Sequence, residues 1–362
     1  MELYKIAASN LYGIGIKKLK LLCEKSGGLN ALFEEDLNSL SIRCGINKKL
    51  LNNMNRNNAL IEAQKQLNFN QKYGIQTLFF NDDKYPHLLK ECPDAPITLY
   101  FKGNISLQHR IIAVVGTRKA SSYGKENVEK LISSFQDQKI IVASGLAMGI
   151  DTFVHECCLK YNIQTVGVLG HGLDTISPRS NRDLAKKMTA KGGLLTEFGI
   201  EHKVTKYSFP KRNRIIAGMS HMTIVVESPK YGGAIITAEM ANGYNREVMA
   251  VPGSVFSNNS KGCNELIKSN KAHLLEDTSD LFQLMNWNNA FKVHDSKIHI
   301  TKNEAMIVNI LQKEKEIHFD KLITYSSFST SQLQELILKL ELKQIVNSLP
   351  GAIFRLSHNT IL

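Results

Sequence analysis

The sequence predicts an α/β protein with an extended Rossmann-like, doubly wound, mostly parallel sheet, a small helical domain before it and a winged-helix-like domain after it. Six short apolar runs alternate with amphipathic stretches between residues 111 and 251, which is typical of parallel strands covered on both faces. The first 70 residues lack proline and predict short helices, and the last 65 predict three helices and a two-strand hairpin. The predicted domains are therefore residues 1–70, 71–285 and 297–362 of a chain of 362.

The N-terminal domain, residues 1–70, is predicted to be similar to SAM or helix-hairpin-helix modules. Its apolar residues fall at helical spacing between turns marked by glycine or asparagine. One turn contains Gly13 and Gly15, and Lys17 and Lys18 follow at once. Such a turn between two helices can present backbone N–H groups to a phosphate, which makes both lysines candidates for weaker DNA contacts. The alternative is a tight turn in a helical bundle with a solvated lysine face.

The central domain, residues 71–285, carries the predicted sheet. Each apolar run is followed by a helical pattern, as in right-handed βαβ units. The predicted strands are Ile111–Val115, Ile140–Ala143, Thr165–Leu169, Leu194–Thr196, Thr223–Val226 and Val248–Val251. Ligands of doubly wound sheets bind outside the carboxyl ends of the strands, and several of these ends are rich in glycine here.

The C-terminal domain, residues 297–362, has the pattern of a winged helix. Thr301 with Glu304, and Ser331 with Gln334, predict capping boxes at the starts of two helices. A hairpin follows, in which Gln344 begins the first strand and Pro350 begins the turn. The predicted recognition helix mixes acidic and basic residues, so a structural or protein-binding role is at least as well supported as DNA binding. A transition segment, residues 276–296, is predicted to precede this domain.

Charge and composition narrow the function classes. The chain has 45 Lys and Arg against 33 Asp and Glu, a net charge of +12, which favours a polyanionic partner. Its six cysteines form no CxxC motif and predict reduced thiols in a cytoplasmic protein. No apolar run approaches the roughly 18 residues of a membrane span, so no membrane association is expected.

The most informative basic segment extends from Lys203 to Arg214. It contains five cations and no acidic residue, with aromatic residues among them. Single-stranded nucleic acid is bound by cations along the backbone and by rings that stack on the bases. The candidate contacts are Phe209, Lys211, Arg212, Asn213 and Arg214, with Lys203 and Lys206 as weaker ones. Residues 212–214 are predicted to lie near a helix N-terminus, where cations are unfavourable unless an anion binds. A solvated basic loop is the alternative.

Three strand ends offer further candidate contacts. The first is Gly116-Thr117-Arg118, with a glycine that permits close approach and an arginine that can bind phosphate. Ser144-Gly145 follows the second predicted strand, and Gly232-Gly233 opens a later helix as a weaker candidate. No GxGxxG or Walker A motif is present, which removes the main support for NAD-dependent enzymes and P-loop ATPases. No cofactor is expected.

Asp151 and His155 lie four residues apart on a predicted helix and therefore on one face. They could form an acid/base pair or two metal ligands, but two ligands without a third are poor evidence for a metal. We favour a structural role, in which Asp151 caps the helix dipole and His155 bonds to it. No catalytic triad or metal set is recognised, so neither catalytic nor metal-binding residues are predicted.

Read in order, these segments resemble the DNA-processing protein A family (DprA/Smf). The resemblance covers roughly residues 85–275. The matching residues are Tyr85-Pro86, Leu88-Leu89, Pro96, Leu99-Tyr100, Val115 to Arg118, Tyr123-Gly124, Ser144 to Ala147, Gly149 to Asp151, His155, Val168-Leu169, Gly172 to Asp174, Gly193, Phe209 to Gly218, Val225 to Glu227, Thr237-Ala238, Arg246, Val251 to Gly253, Gly262, Asn264 and Leu266-Ile267. The block from Phe209 to Gly218 is the most specific. Ser177-Pro178, the turn at Tyr231 and the segment from Ser269 to Ala272 depart from the family pattern.

The resemblance implies a non-enzymatic protein that binds single-stranded DNA through its Rossmann-like core. Such a protein would act as a homodimer and load a RecA-type recombinase on incoming DNA during natural transformation, the competence process that ends in homologous recombination. Arg118 and Lys211 match family positions that look like DNA contacts.

The alternative function is enzymatic: a nucleoside-monophosphate phosphoribohydrolase of the lysine-decarboxylase-like (LOG) family, which shares this kind of sheet. That family carries the motif P-G-G-x-G-T-x-x-E. Gly232, Gly233 and Glu239 fit it, but Tyr231 replaces the proline, and Ile235 and Ile236 replace the third glycine and the threonine. Without that glycine and threonine the phosphate cradle is lost, which disfavours the enzyme.

Overall fold

The computed structural model of the chain describes residues 1–136, 138–287, 301–314, 316–343 and 345–357. Two compact units are present, Met1–Asn286 and Trp287–Leu362. The division of the first unit at residue 70 stays a prediction. Of the predicted transition segment, residues 288–296 lie outside the described residues, as does Gln344 of the predicted hairpin.

Six helices occupy the N-terminal segment, as its periodicity predicted. They are α1 (Glu2–Ser9), α2 (Ile16–Ser26), α3 (Leu29–Glu34), α4 (Leu37–Cys44), α5 (Lys48–Asn53) and α6 (Arg56–Tyr73). Gly27, Gly45 and Gly74 end α2, α4 and α6 in the left-handed conformation, with φ of 84°, 63° and 63°. The Asp36 side chain caps α4 by accepting a hydrogen bond from the Ser39 N–H. The assignment to SAM or helix-hairpin-helix modules stays a prediction.

The centre of the first unit is a nine-stranded sheet. Its strands are β1 (Gln76–Phe79), β2 (Thr98–Gly103), β3 (Arg110–Val115), β4 (Ile140–Ser144), β5 (Gln164–Val168), β6 (Gly193–Thr196), β7 (Met222–Val225), β8 (Glu247–Ala250) and β9 (His273–Leu274). Their spatial order is β1-β2-β6-β5-β4-β3-β7-β8-β9. From β6 to β9 all pairs are parallel, whereas β1–β2 and β2–β6 are antiparallel. This confirms the predicted doubly wound, mostly parallel sheet.

All six predicted strands are present, each within one residue of its expected bounds. Their apolar residues are buried because helices cover both faces of the sheet. The helices of this part are α7 (His87–Glu91), α8 (Ser122–Ser133), α9 (Ile150–Lys160), α10 (Arg182–Lys191), α11 (Ser208–Met219), α12 (Gly233–Gly243), α13 (Lys261–Lys268) and α14 (Thr278–Leu284). All six cysteines are free thiols, and five of them are buried.

The second unit contains the predicted three helices and hairpin together with one short additional strand. Its elements are α15 (Lys302–Glu314), β10 (Glu316–His318), α16 (Phe319–Ser326), α17 (Thr330–Leu342), β11 (Val346–Leu349) and β12 (Ile353–Leu356). The Thr301–Glu304 capping box is present. The second box is not the predicted Ser331–Gln334 pair but Ser329 with Gln332, because α17 begins at Thr330. The winged-helix assignment stays a prediction.

Candidate nucleic-acid interface

A small cavity of about 90 Å³ lies at the carboxyl ends of β3 and β7, and we call it the strand-end cleft. β3 and β7 are parallel neighbours, and the chain leaves them toward opposite sides of the sheet, to β4 and to β8. The cleft therefore occupies the topological switch point, where doubly wound sheets bind their ligands. The side chains and backbone that carry its chemistry belong to Gly116, Arg118, Asp151, Phe209, Arg212 and Asn213.

The loop after β3 is fixed by a buried acid, Glu227. The Thr117 N–H donates to the Glu227 carbonyl oxygen at 2.8 Å. The N–H and hydroxyl of Ser121 donate to the Glu227 carboxylate at 3.0 and 2.6 Å. A side chain at Gly116 would lie 2.6 Å from the Ile150 side chain, so only glycine fits. These contacts hold the backbone while the Arg118 side chain stays exposed.

Arg118 lies against an aromatic ring of α11. Its guanidinium carbon is 5.3 Å from the centroid of the half-buried Phe209 ring, a cation–π contact. Asn213, one helical turn further along α11, donates through its side-chain amide to the Gly233 carbonyl oxygen at 3.4 Å. The structure thus brings together Gly116, Arg118, Phe209 and Asn213 from the predicted set.

The sequence predicted that Arg212 lies near a helix N-terminus, but the structure places it further along the helix. α11 begins at Ser208, so residues 212–214 lie beyond its first turn. The Arg212 side chain is buried and donates to the Val168 carbonyl oxygen at 3.0 Å, while its Nε has no partner among the described residues. Burial lowers the pKa of Arg212, opposed by the charge of Asp151. A buried cation therefore lines the cleft, whereas the sequence had suggested an open loop.

Asp151 and His155 do not bond to each other, contrary to the prediction, although Asp151 lies in the first turn of α9 as predicted. The Asp151 carboxylate accepts the N–H groups of Gly145 and Ala147 at 3.1 and 3.4 Å. His155 Nδ1 instead lies 2.7 Å from the Thr165 hydroxyl. Burial raises the pKa of Asp151, and the Arg212 charge opposes that shift. Burial, followed by the Arg212 charge, lowers the pKa of His155 to about 3.

Ser144 and Gly145 are buried and act as supports of the cleft in this structure. The Ser144 hydroxyl donates to the Val114 carbonyl oxygen at 2.7 Å. An added side chain at Gly145 would meet the Arg212 guanidinium at 1.7 Å and the Asp151 carboxylate at 2.6 Å. The absence of a side chain at Gly145 therefore makes room for the buried Arg212.

Lys211 and Arg214 lie apart from the strand-end cleft. Both line a second, larger cavity of about 650 Å³, which also includes Lys17 and Lys18. Arg214 forms an ion pair with Glu197 and donates to the Asp94 carbonyl oxygen. Burial raises the pKa of Glu197, opposed first by Arg214 and then by Lys211. Arg118 and Lys211 thus line two cavities instead of the single groove that adjacent strand ends would suggest.

Of the remaining weaker candidates, Gly233 lines the strand-end cleft, whereas Gly232, Lys203 and Lys206 do not. Lys203 and Lys206 lie on the exposed segment before α11, where the Lys206 ammonium is 5.2 Å from the Tyr207 ring centroid. Gly232 is packed against Ser228, whereas an added side chain at the exposed Gly233 would meet nothing within 4 Å. At the start of α12, Gly233 therefore has open space beside its Cα, whereas Gly232 does not.

Two carboxylates that organise the site were not among the predicted site residues. Glu227 holds the loop after β3, and Glu197 neutralises Arg214. Glu197 follows β6 directly and Glu227 lies two residues after β7, and a position just after an apolar strand is the sequence signal that could have found them.

The described ranges contain no group of three or more His, Cys, Asp or Glu side chains placed to hold a metal ion. In the same ranges, no helix is both long and apolar enough to span a bilayer.

Comparison with known proteins places the chain in a family. Residues 76–286, more than half of the chain, match the family described as DNA recombination-mediator protein A. A relative from Synechocystis, Protein Smf, is 34% identical over 292 residues, which span 78% of this chain and 72% of that protein.

Two solved structures share the fold. The X-ray structure of DNA processing protein A from Streptococcus pneumoniae has 32% identity and a TM-score of 0.65, and the match covers 78% of this chain and 96% of that one. DNA processing protein A from Helicobacter pylori, whose structure describes a unique single-stranded DNA binding mode, has 24% identity and a TM-score of 0.54, covering 59% and 97%. The chain belongs to the DNA recombination-mediator protein A family, and its role lies in processing DNA for recombination.

Proposed function

We propose that this protein binds single-stranded DNA without base specificity along the carboxyl edge of its sheet, and that it catalyses no reaction. One observation carries the proposal: an exposed Arg118 rests on the Phe209 ring at the topological switch point. We further propose, from membership of the family, that it acts as a cytoplasmic homodimer that loads a RecA-type recombinase on DNA taken up in transformation.

The chemistry of this edge suits a sugar-phosphate backbone. Arg118 is exposed beside the Phe209 ring, and its planar guanidinium offers several N–H donors that suit a phosphate. Exposed Lys203, Lys206 and Tyr207 lie on the segment that leads into α11. Cations interleaved with aromatic rings bind single strands with little base preference, because every base has a face that can stack.

The size of the strand-end cleft disfavours a small-molecule enzyme. Its volume of about 90 Å³ is well below the roughly 300–1,000 Å³ of pockets that enclose whole ligands. Such a cleft accommodates a single group of a larger ligand, such as one phosphate of a chain. We therefore prefer a surface that contacts successive phosphates to a pocket that encloses a nucleotide.

The phosphoribohydrolase alternative would also require the acidic side chain of its motif in the strand-end cleft. Glu239, the motif carboxylate, is exposed and forms an ion pair with Lys271 at 3.3 Å. It is not among the residues that line the strand-end cleft. A general acid or base must lie within hydrogen-bonding reach of its substrate, so this position supports a binding protein.

The direct test compares affinity for single-stranded and duplex DNA across a range of salt concentrations. We expect preference for single strands, with log affinity falling by about 0.7 per neutralised phosphate for each unit of log salt. Equal affinity for both forms, or affinity independent of salt, would contradict the proposal.

The absence of catalysis has its own test. We expect no release of base from AMP by the purified protein and no change on Glu239→Gln. A turnover that Glu239→Gln abolishes would support the phosphoribohydrolase instead.

Recombinase loading is tested by the rate at which a RecA-type protein assembles on single-stranded DNA with and without this protein. We expect faster assembly with the unaltered chain and no effect with Arg118→Ala. Equal rates would contradict the loading role and leave the DNA-binding proposal intact.

A further inference from the structure

The larger cavity, which we call the N-terminal groove, is lined by residues of the first helices, of the segment before β2 and of α11, all within the unit Met1–Asn286. The turn from Gly13 to Lys18 forms part of its wall, and the α11 residues Lys211 and Arg214 form another part. Its volume of about 650 Å³ is sufficient for a ligand segment larger than one phosphate.

The electrostatics of the N-terminal groove favour an anion. Glu197 neutralises Arg214, and the Asp94 carboxylate accepts the Tyr244 hydroxyl at 2.8 Å. Lys17, Lys18 and Lys211 are exposed, and no carboxylate in the described part of the chain pairs with them. Among the charged residues that line the groove outside the Arg214–Glu197 pair, three lysines are therefore balanced by a single carboxylate, that of Asp94.

The turn in this wall leaves its backbone accessible. Gly13 has a φ of 70°, and a side chain added at either Gly13 or Gly15 would meet nothing within 4 Å. Gly15 precedes α2, and no side chain caps that helix. Free N–H groups and the positive end of the helix dipole therefore lie beside Lys17 and Lys18.

Helix α11 connects this groove to the strand-end cleft. Phe209, Arg212 and Asn213 line the cleft, while Lys211 and Arg214 line the N-terminal groove. The two sites are thus opposite sides of one helix. A single strand that leaves Arg118 and crosses α11 meets Lys211 next.

We propose that the N-terminal groove is a second phosphate-binding segment for the same DNA strand, in which Lys17, Lys18 and Lys211 neutralise backbone charges beyond those at Arg118. This proposal rests on the proposed function. It assigns DNA binding to the helical N-terminal segment and a longer binding site to the whole chain.

The first experiment varies oligonucleotide length in the full chain. Oligo-dT of about 6 and of about 16 nucleotides, lengths within the range that single-strand grooves cover, are titrated against the unaltered protein and Lys17→Gln/Lys18→Gln. Loss of two phosphate contacts should weaken the long oligonucleotide about tenfold at moderate salt and reduce its salt slope by about 1.4, with little effect on the short one.

A matched control variant removes two positive charges from the same helical segment, outside the N-terminal groove. Lys48 and Lys49 are exposed on α5 of the same helical segment but do not line the groove. We expect Lys48→Gln/Lys49→Gln to leave both affinities unchanged. Equal losses in the two double variants would mean a general charge effect and would overturn the proposal.

A second pair of variants changes charge at the turn without strain. The extended conformation of Gly15, with φ of −98° and ψ of 175°, accepts an Asp or Asn helix cap. Gly15→Asp should keep or raise the melting temperature yet weaken the long oligonucleotide, whereas Gly15→Asn should retain binding. Identical binding by both variants would overturn the proposal.

The outcomes separate this proposal from the proposed function. Weaker binding in Arg118→Ala with unchanged binding in the Lys17→Gln/Lys18→Gln variant refutes only the N-terminal groove. If the Lys17→Gln/Lys18→Gln variant loses the same affinity for the short and the long oligonucleotide, a separate second binding segment is also refuted. Unchanged binding in Arg118→Ala refutes the proposed function.

Discussion

The guanidinium carbon of Arg118 lies 5.3 Å from the centroid of the Phe209 ring. Phe209 therefore orients the cation that we place on a phosphate, in addition to offering a face for a base. The contact joins the loop after β3 to α11, two elements that are distant in the sequence.

The Arg118–Phe209 contact predicts coupled effects on DNA affinity. We expect Arg118→Ala and Phe209→Leu to weaken binding non-additively, with a coupling energy of about 0.5–1 kcal/mol in a double-mutant cycle. Tyr207, which is exposed beside Lys206, is the matched control. Tyr207→Leu should be additive with Arg118→Ala. Additivity for Phe209 as well would show that its ring does not position Arg118.

Neighbouring cations on α11 should behave differently. Lys211→Gln should weaken single-stranded DNA binding, lower the salt slope by about 0.7 and leave stability unchanged. Arg214→Gln should leave Glu197 buried without its counter-charge and cost about 3 kcal/mol of unfolding free energy, with a smaller effect on salt slope. Denaturant unfolding and salt-dependent DNA binding of both variants test these expectations. A larger loss of salt slope in Arg214→Gln and a larger loss of stability in Lys211→Gln would show that Arg214 is the DNA contact.

Gly145→Ala should destabilise the protein. Its new methyl group would overlap the Arg212 guanidinium, so we expect a loss of about 1–3 kcal/mol in unfolding free energy. Gly233→Ala is the control, because an added side chain there meets nothing within 4 Å and α12 favours alanine over glycine. Equal stabilities of the two variants in urea would argue against a tight fit around Arg212.

His155 predicts a specific acid sensitivity. Its pKa is about 3 when folded because of burial, against 6.5 in the unfolded chain. Below pH 6.5 the unfolded chain therefore binds the proton first, and unfolding free energy falls by about 1.4 kcal/mol per pH unit until about pH 3. Above pH 7 His155 contributes no pH dependence. His155→Gln should flatten the decline, and equal slopes for both proteins in urea unfolding would contradict this.

The parallel sheet was predictable because its strands are buried on both faces and are nearly continuous apolar runs. Residues Ile111–Val115 and Ile140–Ala143 carry this signal plainly. β1 and β2 were missed, because they lie beside a proline-rich segment and pair antiparallel, so they do not belong to a βαβ unit. Leu78, Phe79, Leu99 and Phe101 could have marked them as aromatic-rich strands.

The site was predictable only to the level of strand ends. Gly116 and Arg118 follow from their position after β3. Which faces Lys211 and Arg212 present depends on where α11 begins, and the tertiary fold sets that start at Ser208. The Arg214–Glu197 pair is equally inaccessible from sequence, because it depends on the packing of α11 against the end of β6.

The antiparallel pairing of β2 with β6 determines how far the chain can be shortened. Tyr100 lies opposite Thr196, and β2 satisfies the outer peptide groups of a strand whose side chains are all buried. A protein trimmed to begin at Arg110 would retain every strand from β3 to β9 yet expose that edge to other molecules. It should self-associate in sedimentation experiments, whereas one beginning at residue 76, where the family match also starts, keeps its edge covered.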